Sequence, residues 1–343
     1  MHSGTSWPSV HAADSCTGCE PSTERAVASA PPLRARESGA VADEIELRTP
    51  AAGAADGSAR ERLARAARRG SLDRVRHGFY AEPEEWRAAS PDARHLARIR
   101  AADAAARGRP VFGGESAALL HGIPLLGGPP IRPVVIVPPG GARSTAPVRR
   151  MQRALTRGEI TTVAGVVVTT PARTAVDLAF AGPPLRATIA VSHVRRHCGV
   201  SLAALSALAA ARGAVPGARR AMAALRASTG LADSPLETLV LSRLRDLGFA
   251  EPVQQFPVST IEGEFRVDFA WDDGRLVLEA DGRMKYLDED ALWAEKRRED
   301  AIRERCAAFA RASWDDAWAG SELARKLERL GVPRVRRPRP LTR

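Results

Sequence analysis

Cysteine and lysine are scarce in this sequence of 343 residues, and it contains no long hydrophobic run. The four cysteines are too few and too scattered for the disulfide framework of a secreted protein, so a reducing compartment fits. No stretch approaches the ~20 uncharged apolar residues that a membrane-spanning helix needs. The first residues also lack the basic and apolar blocks of a secretory signal. We therefore expect a cytoplasmic protein with no membrane association.

Two of the cysteines, Cys16 and Cys19, form a C-x-x-C pair. No second cysteine pair or histidine pair follows at the spacing of a zinc site, and the flanking residues are Ser, Thr, Gly and Pro. A chance pair in a flexible tail is therefore the favoured interpretation, and metal binding the less favoured one.

Positive charge is concentrated in the middle of the chain, although the whole sequence carries a net charge of +11. Residues 1–58 hold 4 Arg against 8 acidic residues, residues 59–230 hold 27 Arg against 10, and residues 231–343 hold 20 Lys and Arg against 22. A GC-rich genome would explain why arginine replaces lysine, but not why acidic residues fail to balance it. The excess favours contact with nucleic acid, because each neutralised phosphate releases condensed counterions. A solvated basic surface is the alternative.

The N-terminal 90 residues divide into two parts. Residues 1–58 show no sustained periodicity and few large apolar side chains, which predicts a disordered tail. Residues 59–90 predict a basic helix ended by Gly70, followed by a β-hairpin around Gly78. This segment is either winged-helix-like or a small basic cap on the next domain. In the winged-helix interpretation the DNA-binding side chains are Arg62, Arg65, Arg68, Arg69, Arg74 and Arg76.

Residues 91–230 predict a middle domain of mixed helices and strands. Thr170 followed by Pro171 is typical of a helix N-terminus after a strand, and three Ala- and Leu-rich helices follow. His121, His193 and His197 lack the carboxylate or cysteine neighbours of a metal site, so we interpret them as structural or exposed. No Gly-rich phosphate loop and no G-x-S-x-G elbow occurs.

Residues 231–331 predict a third domain with the order helix, three strands, helix, strand, helix, and a basic tail at 332–343 follows it. The sequence Asp272-Asp273-Gly274 is typical of a hairpin turn between two β-rich runs. Pairing across that turn places Asp268 opposite a residue close to Leu278. Asp268 and Glu279 are therefore expected to lie near each other on adjacent strands. With the other segments, this predicts an α/β (α+β) protein.

A carboxylate inside an apolar strand costs several kcal/mol unless a cation faces it. Two such carboxylates, Asp268 and Glu279, suit Mg²⁺, which binds through one or two carboxylates plus water and phosphate oxygens. The chain has only three lysines, and Lys285 follows Glu279 closely. Lysine at this position suggests a compact ammonium group that orients or deprotonates a water molecule.

The motifs VDFAW, LEADGRMKY, EKRRED and RASW resemble the short-patch-repair (Vsr-like) branch of the PD-(D/E)XK restriction-endonuclease fold. The motifs ESAALLHGIPL and TTPARTAVDLA are similar to actinobacterial proteins related to the AbiEi-type antitoxin of type IV toxin–antitoxin systems. Together the resemblances cover about residues 59–318. They imply that Asp268 and Glu279 are metal ligands and that Glu237 is a further acidic contributor.

One departure from the endonuclease motif leaves the activity open. The motif places lysine two residues after the glutamate, where this chain has Asp281. Either Lys285 has taken over its role, or Asp281 adds a ligand, or catalysis has been lost. Ser234 and Glu237 also match a capping box, and Asp268 and Glu279 could form ion pairs with Arg266, Arg283 or Arg311.

Three functions remain as hypotheses from the sequence, of which the third and weakest is a protein-interaction module. The first is a DNA-associated, Mg²⁺-dependent endonuclease with Asp268, Glu279 and Lys285 at its active site. The second is a non-catalytic DNA-binding regulator of the antitoxin type, in which the nuclease fold is a scaffold and a toxin protein is a possible partner.

Overall fold

A computed structural model of the chain describes residues 45–50, 57–141, 144–145, 147–281 and 289–335. These ranges contain twelve α-helices and eleven strands, and the strands form three sheets. This mixed content confirms the predicted α/β class. No helix in the described ranges has the length and apolar character needed to cross a bilayer. The Cys16–Cys19 pair and Lys285 lie outside these residues.

The described segment that begins at residue 57 contains the predicted helix and hairpin. Helix α1 is followed by a two-stranded antiparallel sheet whose turn contains Gly78 at φ 83°. The bounds are α1 Gly57–Arg68, β1 Asp73–Arg76, β2 Phe79–Ala81, α2 Pro83–Ala88 and α3 Pro91–Ala104. The hairpin and α3 share one small core through Ala81, Ala93 and Ala97.

The prediction of disorder over residues 1–58 is wrong for residues 45–50 and for the start of α1. Ile45 is buried in the core shared by the hairpin and α3, and Arg48 forms an antiparallel bridge to Tyr80. The short alternating run of Ile45 and Leu47 is a strand-like pattern that a count of apolar residues over the whole segment hides. The rest of the predicted tail, residues 1–44 and 51–56, lies outside the described residues.

The middle region begins with a five-stranded mixed sheet of order β5-β4-β3-β7-β6. Ala164 and Gly165, at φ 48° and 80°, form a tight turn between two strands where the sequence predicted a single strand. The bounds are β3 Val111–Phe112, α4 Gly114–Leu120, β4 Val134–Val137, β5 Arg149–Gln152, a 3₁₀ turn Arg157–Glu159, β6 Ile160–Val163 and β7 Val166–Thr169.

Four helices follow this sheet and pack around one apolar core. The first begins as predicted, with the Thr170 hydroxyl accepting a hydrogen bond from the Arg173 amide at 3.4 Å. The bounds are α5 Pro171–Ala181, α6 Pro184–His197, α7 Leu202–Ala210 and α8 Ala218–Ala227.

The C-terminal region has the predicted order of elements around a four-stranded sheet of order β11-β10-β9-β8. Strands β8, β9 and β10 are antiparallel neighbours, and β11 returns parallel to β10. Helix α10 packs on one face through Ile302, while α9, α11 and α12 cover the other. The bounds are α9 Pro235–Leu247, β8 Val253–Thr260, β9 Gly263–Trp271, β10 Leu276–Ala280, α10 Glu289–Arg305, β11 Ala308–Ala312, α11 Trp314–Ala319 and α12 Ser321–Leu330.

Two details at the C-terminal end differ from the prediction. The single helix expected from Asp315 to Leu330 is two helices, because Gly320 takes φ 75° between them. Part of the predicted basic tail belongs to the fold, since Val332 is buried and Arg334 forms a bridge to Phe249. Residues 336–343 lie outside the described residues.

Candidate functional site

The carboxylate of Asp268 lies at the point where strands β9 and β10 part. The backbone ladder between them ends at the pair Phe269 and Leu278, one residue from the register that the hairpin predicted. Beyond this pair the Ala280 amide donates to Asp268 Oδ2 at 2.8 Å, so a side chain replaces the next backbone bond. The cleft between diverging strands therefore contains a carboxylate held by the backbone.

Asp268 titrates far from the ordinary range of an aspartate. Burial is the main cause, and the nearby charges of Glu237 and Glu279 add to it, raising the pKa to about 7. The hydrogen bond from Ala280 and the charge of Arg298 act in the opposite direction but are weaker. The raised pKa therefore reflects mainly desolvation, with repulsion from two neighbouring carboxylates as a smaller cause.

Glu237 approaches the same cleft from α9 and is buried. Its Oε2 accepts hydrogen bonds from the Asp233 amide at 3.0 Å and from Gln255 Nε2 at 2.7 Å, and burial raises its pKa. Ser234 caps α9 by accepting from the Glu237 amide at 3.1 Å. The second hydrogen bond of the predicted capping box is wrong, because the Glu237 carboxylate accepts from the backbone amide of Asp233 and not from that of Ser234.

Strand β8 is irregular opposite Asp268. Gln254 pairs with Phe269 and Phe256 pairs with Val267, so Gln255 lies across from Asp268. Gln255 has φ 55°, a left-handed conformation that is unusual for a residue inside a strand. This conformation accompanies the bond from the Gln255 side chain to Glu237.

Among the residues that the structure describes, guanidinium groups form salt bridges with Glu279 but not with Asp268 or Glu237. Arg298 Nη2 lies 2.7 Å from Glu279 Oε1, and Arg311 Nη2 lies 4.0 Å from Glu279 Oε2. Arg311 was among the ion-pair partners that the sequence predicted, whereas Arg298 was missed. Arg298 and Glu295 lie on the same face of α10 as buried Ile302, so helical spacing was the available signal.

Asp281 contacts Arg311 at 3.3 Å, and Arg311 also contacts Glu295 and Glu299, each at 2.9 Å. Asp281 therefore belongs to the ion-pair network of Arg311. Arg266, another predicted partner of the acidic pair, contacts Asp233 instead, at 3.1 Å. The predicted roles of Lys285 and Arg283 fall on positions outside the described residues.

The cleft provides a small set of carboxylate ligands that fits a hard divalent cation. Asp268 and Glu279 supply carboxylate oxygens, and Mg²⁺ commonly binds one or two of these with water and phosphate oxygens. A complete cluster of three or more metal-ligating side chains does not occur within the described ranges. Any metal ion here would therefore depend on water and substrate for the rest of its ligands.

The arginines predicted to bind DNA differ in exposure. Arg62, on α1, is exposed and donates to Ser58 at 2.7 Å, while Arg65 lies 3.8 Å from Glu61. Arg76 is only partly exposed, and burial lowers its pKa. The members of the set that are exposed are Arg62, Arg65, Arg68, Arg69 and Arg74.

The motif TTPARTAVDLA contains a buried ion-pair cluster that the sequence did not reveal. Arg173 Nε lies 3.1 Å from Asp177 Oδ2 and Arg173 Nη1 lies 2.6 Å from Glu159. Arg212 Nη1 reaches the other oxygen of Asp177 at 2.7 Å and its guanidinium stacks on Phe180. This cluster therefore joins α5 to the 3₁₀ turn through Glu159 and to the turn that follows α7 through Arg212.

His121, His193 and His197 contact other groups of the protein, in agreement with the structural interpretation. His121 Nε2 lies 2.7 Å from the Thr169 carbonyl, and the ring centres of His193 and His197 lie 4.5 Å apart with their planes tilted by 39°.

Comparison of the chain with models of known protein families gives no match, and comparison with curated proteins gives none either. The motif resemblances therefore stay predictions, and the geometry of the carboxylate cleft carries the functional argument.

Proposed function

We propose that this chain binds DNA and that its C-terminal region hydrolyses phosphodiester bonds with a divalent cation held by Asp268 and Glu279. The observation that supports this is the raised pKa of Asp268, about 7, beside two further carboxylates in the cleft between β9 and β10. Burial is the main cause of this raised pKa and repulsion from the two neighbouring carboxylates adds to it, and a bound cation would oppose both effects by favouring the ionised carboxylate. Within the described residues no salt bridge joins Asp268 to an arginine or lysine, whereas a purely structural ion pair would place one directly against its carboxylate.

Each residue of the cleft has a distinct role in this proposal. Asp268 and Glu279 provide the oxygen ligands, and Arg298 fixes the orientation of Glu279 through its 2.7 Å contact. Glu237 adds negative charge near Asp268. A bound divalent cation would neutralise phosphate charge and make a water molecule more acidic. Lys285 is proposed to orient the attacking water.

DNA association is proposed through the exposed arginines of α1 and the hairpin. Arginine contacts to phosphates position a protein on DNA and give a salt-dependent affinity without reading sequence. The large excess of arginine over acidic residues between positions 59 and 230 supports this part of the proposal.

A second candidate is a non-catalytic DNA-binding regulator of the antitoxin type, with a toxin protein as its partner. One observation favours it: Glu279 already faces Arg298 and Arg311, and Asp281 faces Arg311. Guanidinium groups at these positions can replace a metal ion as counter-charge. The C-terminal region would then act as a scaffold.

A cleavage assay separates the two candidates. Plasmid and single-stranded DNA would be incubated with the full chain in Mg²⁺, Mn²⁺ or EDTA. We expect metal-dependent cleavage by the parent and none by Asp268→Asn, with Asp272→Asn, an exposed turn carboxylate, as the matched control.

Two lysine variants test whether Lys285 orients the attacking water. Lys285→Ala should abolish cleavage while calorimetric Mg²⁺ binding persists, and Lys296→Ala, an exposed lysine on α10, should keep both. Retained DNA binding without any metal-dependent cleavage or Mg²⁺ binding by the parent would favour the regulator.

A further inference from the structure

An open groove of about 420 Å³ lies along the outer edge of β11, between α10 and α12. It is separate from the arginines of α1 and from the cleft between β9 and β10. Its lining combines the half-buried ring of Phe309 with four cationic side chains. These are Arg303, Arg311, Lys326 and Arg329. Acidic side chains already pair with the first three, at 2.7 to 2.9 Å, whereas no acidic side chain among the described residues forms a salt bridge with Arg329.

The backbone of β11 presents hydrogen-bond donors to this groove. Strand β11 is the last strand of its sheet, so one side of it has no partner strand. The Ala308 amide and the Ala312 carbonyl both bond towards β10. Backbone groups of alternate residues point to opposite sides of a strand, so those of Phe309 and Arg311 point into the groove.

Lys326 changes what this edge can bind. Its Nζ donates to the Arg311 carbonyl at 2.8 Å, which satisfies the acceptor at the centre of the edge. The amides of Phe309 and Arg311 remain directed at the groove as donors, and the Phe309 carbonyl remains as the one acceptor of this pair that Lys326 does not contact. An added peptide strand needs donors and acceptors in alternation, so the Lys326 contact disfavours it.

The side chains of the groove also favour a ligand that only accepts hydrogen bonds. Arg303 stacks on Phe309 with its guanidinium 4.4 Å from the ring centre, and Arg329 is exposed on α12. Backbone amides together with arginines are the usual partners of phosphate oxygens. A guanidinium stacked on an aromatic ring offers a flat surface on which an unpaired base can stack.

We infer that the β11 groove binds one strand of nucleic acid through its phosphates. Arg311 connects the groove to the candidate site, because the same guanidinium contacts Glu279 and Asp281. The bound strand therefore runs beside the carboxylate cleft. This inference rests on the proposed function in one respect, that the chain binds nucleic acid, and it does not require cleavage.

The test is a binding measurement on the full chain in EDTA. Fluorescent single-stranded and duplex DNA would be titrated at several salt concentrations, and the slope of log affinity against log salt would be compared between variants. We expect Arg329→Gln to lower the slope by about one and to weaken binding of the single strand more than that of the duplex. Arg303→Gln should act in the same direction.

Arg305→Gln is the matched control, because it removes one exposed charge from the end of α10, two residues from Arg303 and thus on the opposite side of the helix. Equal effects of Arg329→Gln and Arg305→Gln, or no DNA binding by the parent, would overturn the inference. Displacement of the DNA by a polyglutamate peptide in the parent, with loss of peptide binding in Arg329→Gln, would reassign the groove to an acidic protein.

The same variants separate this inference from the proposed hydrolysis. If Arg329→Gln weakens DNA binding but the parent shows no metal-dependent cleavage, the proposed hydrolysis is overturned and the proposed groove is not. Cleavage that is unchanged in Arg329→Gln, with unchanged affinity, overturns the groove alone.

Discussion

Replacing Asp268 by asparagine should stabilise the metal-free protein, and the gain should grow with pH. The unfolded chain ionises near the ordinary value of 3.8, whereas in the fold the pKa is about 7. Between these values the unfolded state loses its proton first, so rising pH favours unfolding. The favourable contribution of the protonated group is complete below the unfolded pKa and is lost as pH rises through the folded pKa.

The magnitude follows from the two pKa values. At about 1.4 kcal/mol per pH unit, the raised pKa of Asp268 costs the folded state up to about 4 kcal/mol at pH 8 and about 2 kcal/mol at pH 5, relative to a carboxyl group with the ordinary pKa. Asparagine avoids this cost at every pH, and its amide oxygen can still accept from the Ala280 amide. We expect a gain in the free energy of unfolding of about 2 to 4 kcal/mol at pH 8 and a smaller gain at pH 5.

Urea unfolding in EDTA at both pH values would measure this gain, with Asp272→Asn as the control for an exposed carboxylate in the same hairpin. Added Mg²⁺ should then stabilise the parent but not Asp268→Asn, because a ligand that binds only the folded state stabilises it. A loss of about 3 to 5 kcal/mol in Asp268→Asn at pH 8 would refute the reasoning, since it would show that Asp268 is required as the partner of a buried cation.

Three further predictions test other charged groups. Glu279→Gln should destabilise the metal-free protein by about 1.5 to 3 kcal/mol, because it removes the 2.7 Å partner of partly buried Arg298 and leaves Glu295, at 3.3 Å, as its carboxylate partner, and the urea midpoint would show this. Asp177→Asn should cost a similar amount, since Arg173 is buried, and a thermal midpoint equal to that of the parent would contradict it. Burial lowers the pKa of His95 to about 4, so the stability that depends on its neutral form is complete above pH 6.5 and lost as pH falls towards 4. His95→Gln should flatten the stability profile in that interval.

Sequence periodicity was sufficient for the elements whose boundaries depend on local chemistry. Thr170 and Ser234 mark helix starts in the structure as they do in the sequence, because capping bonds are local preferences. The turn at Asp272 and Asp273 likewise fixed the register that brings Asp268 beside β10. The proximity of two carboxylates therefore followed from the sequence alone.

The partners of those carboxylates were decided by the tertiary structure. Arg298 lies 19 residues after Glu279, on a helix that packs across the sheet. No local sequence pattern indicates which side chain of that helix contacts Glu279. The same holds for the buried pairing of Asp177 with Arg212, 35 residues apart. The pKa of Asp268 depends on burial and on Glu237 from a different element, so it too exists only in the folded chain. Local preferences set the elements, whereas ion pairs and desolvation arise only when distant elements pack together.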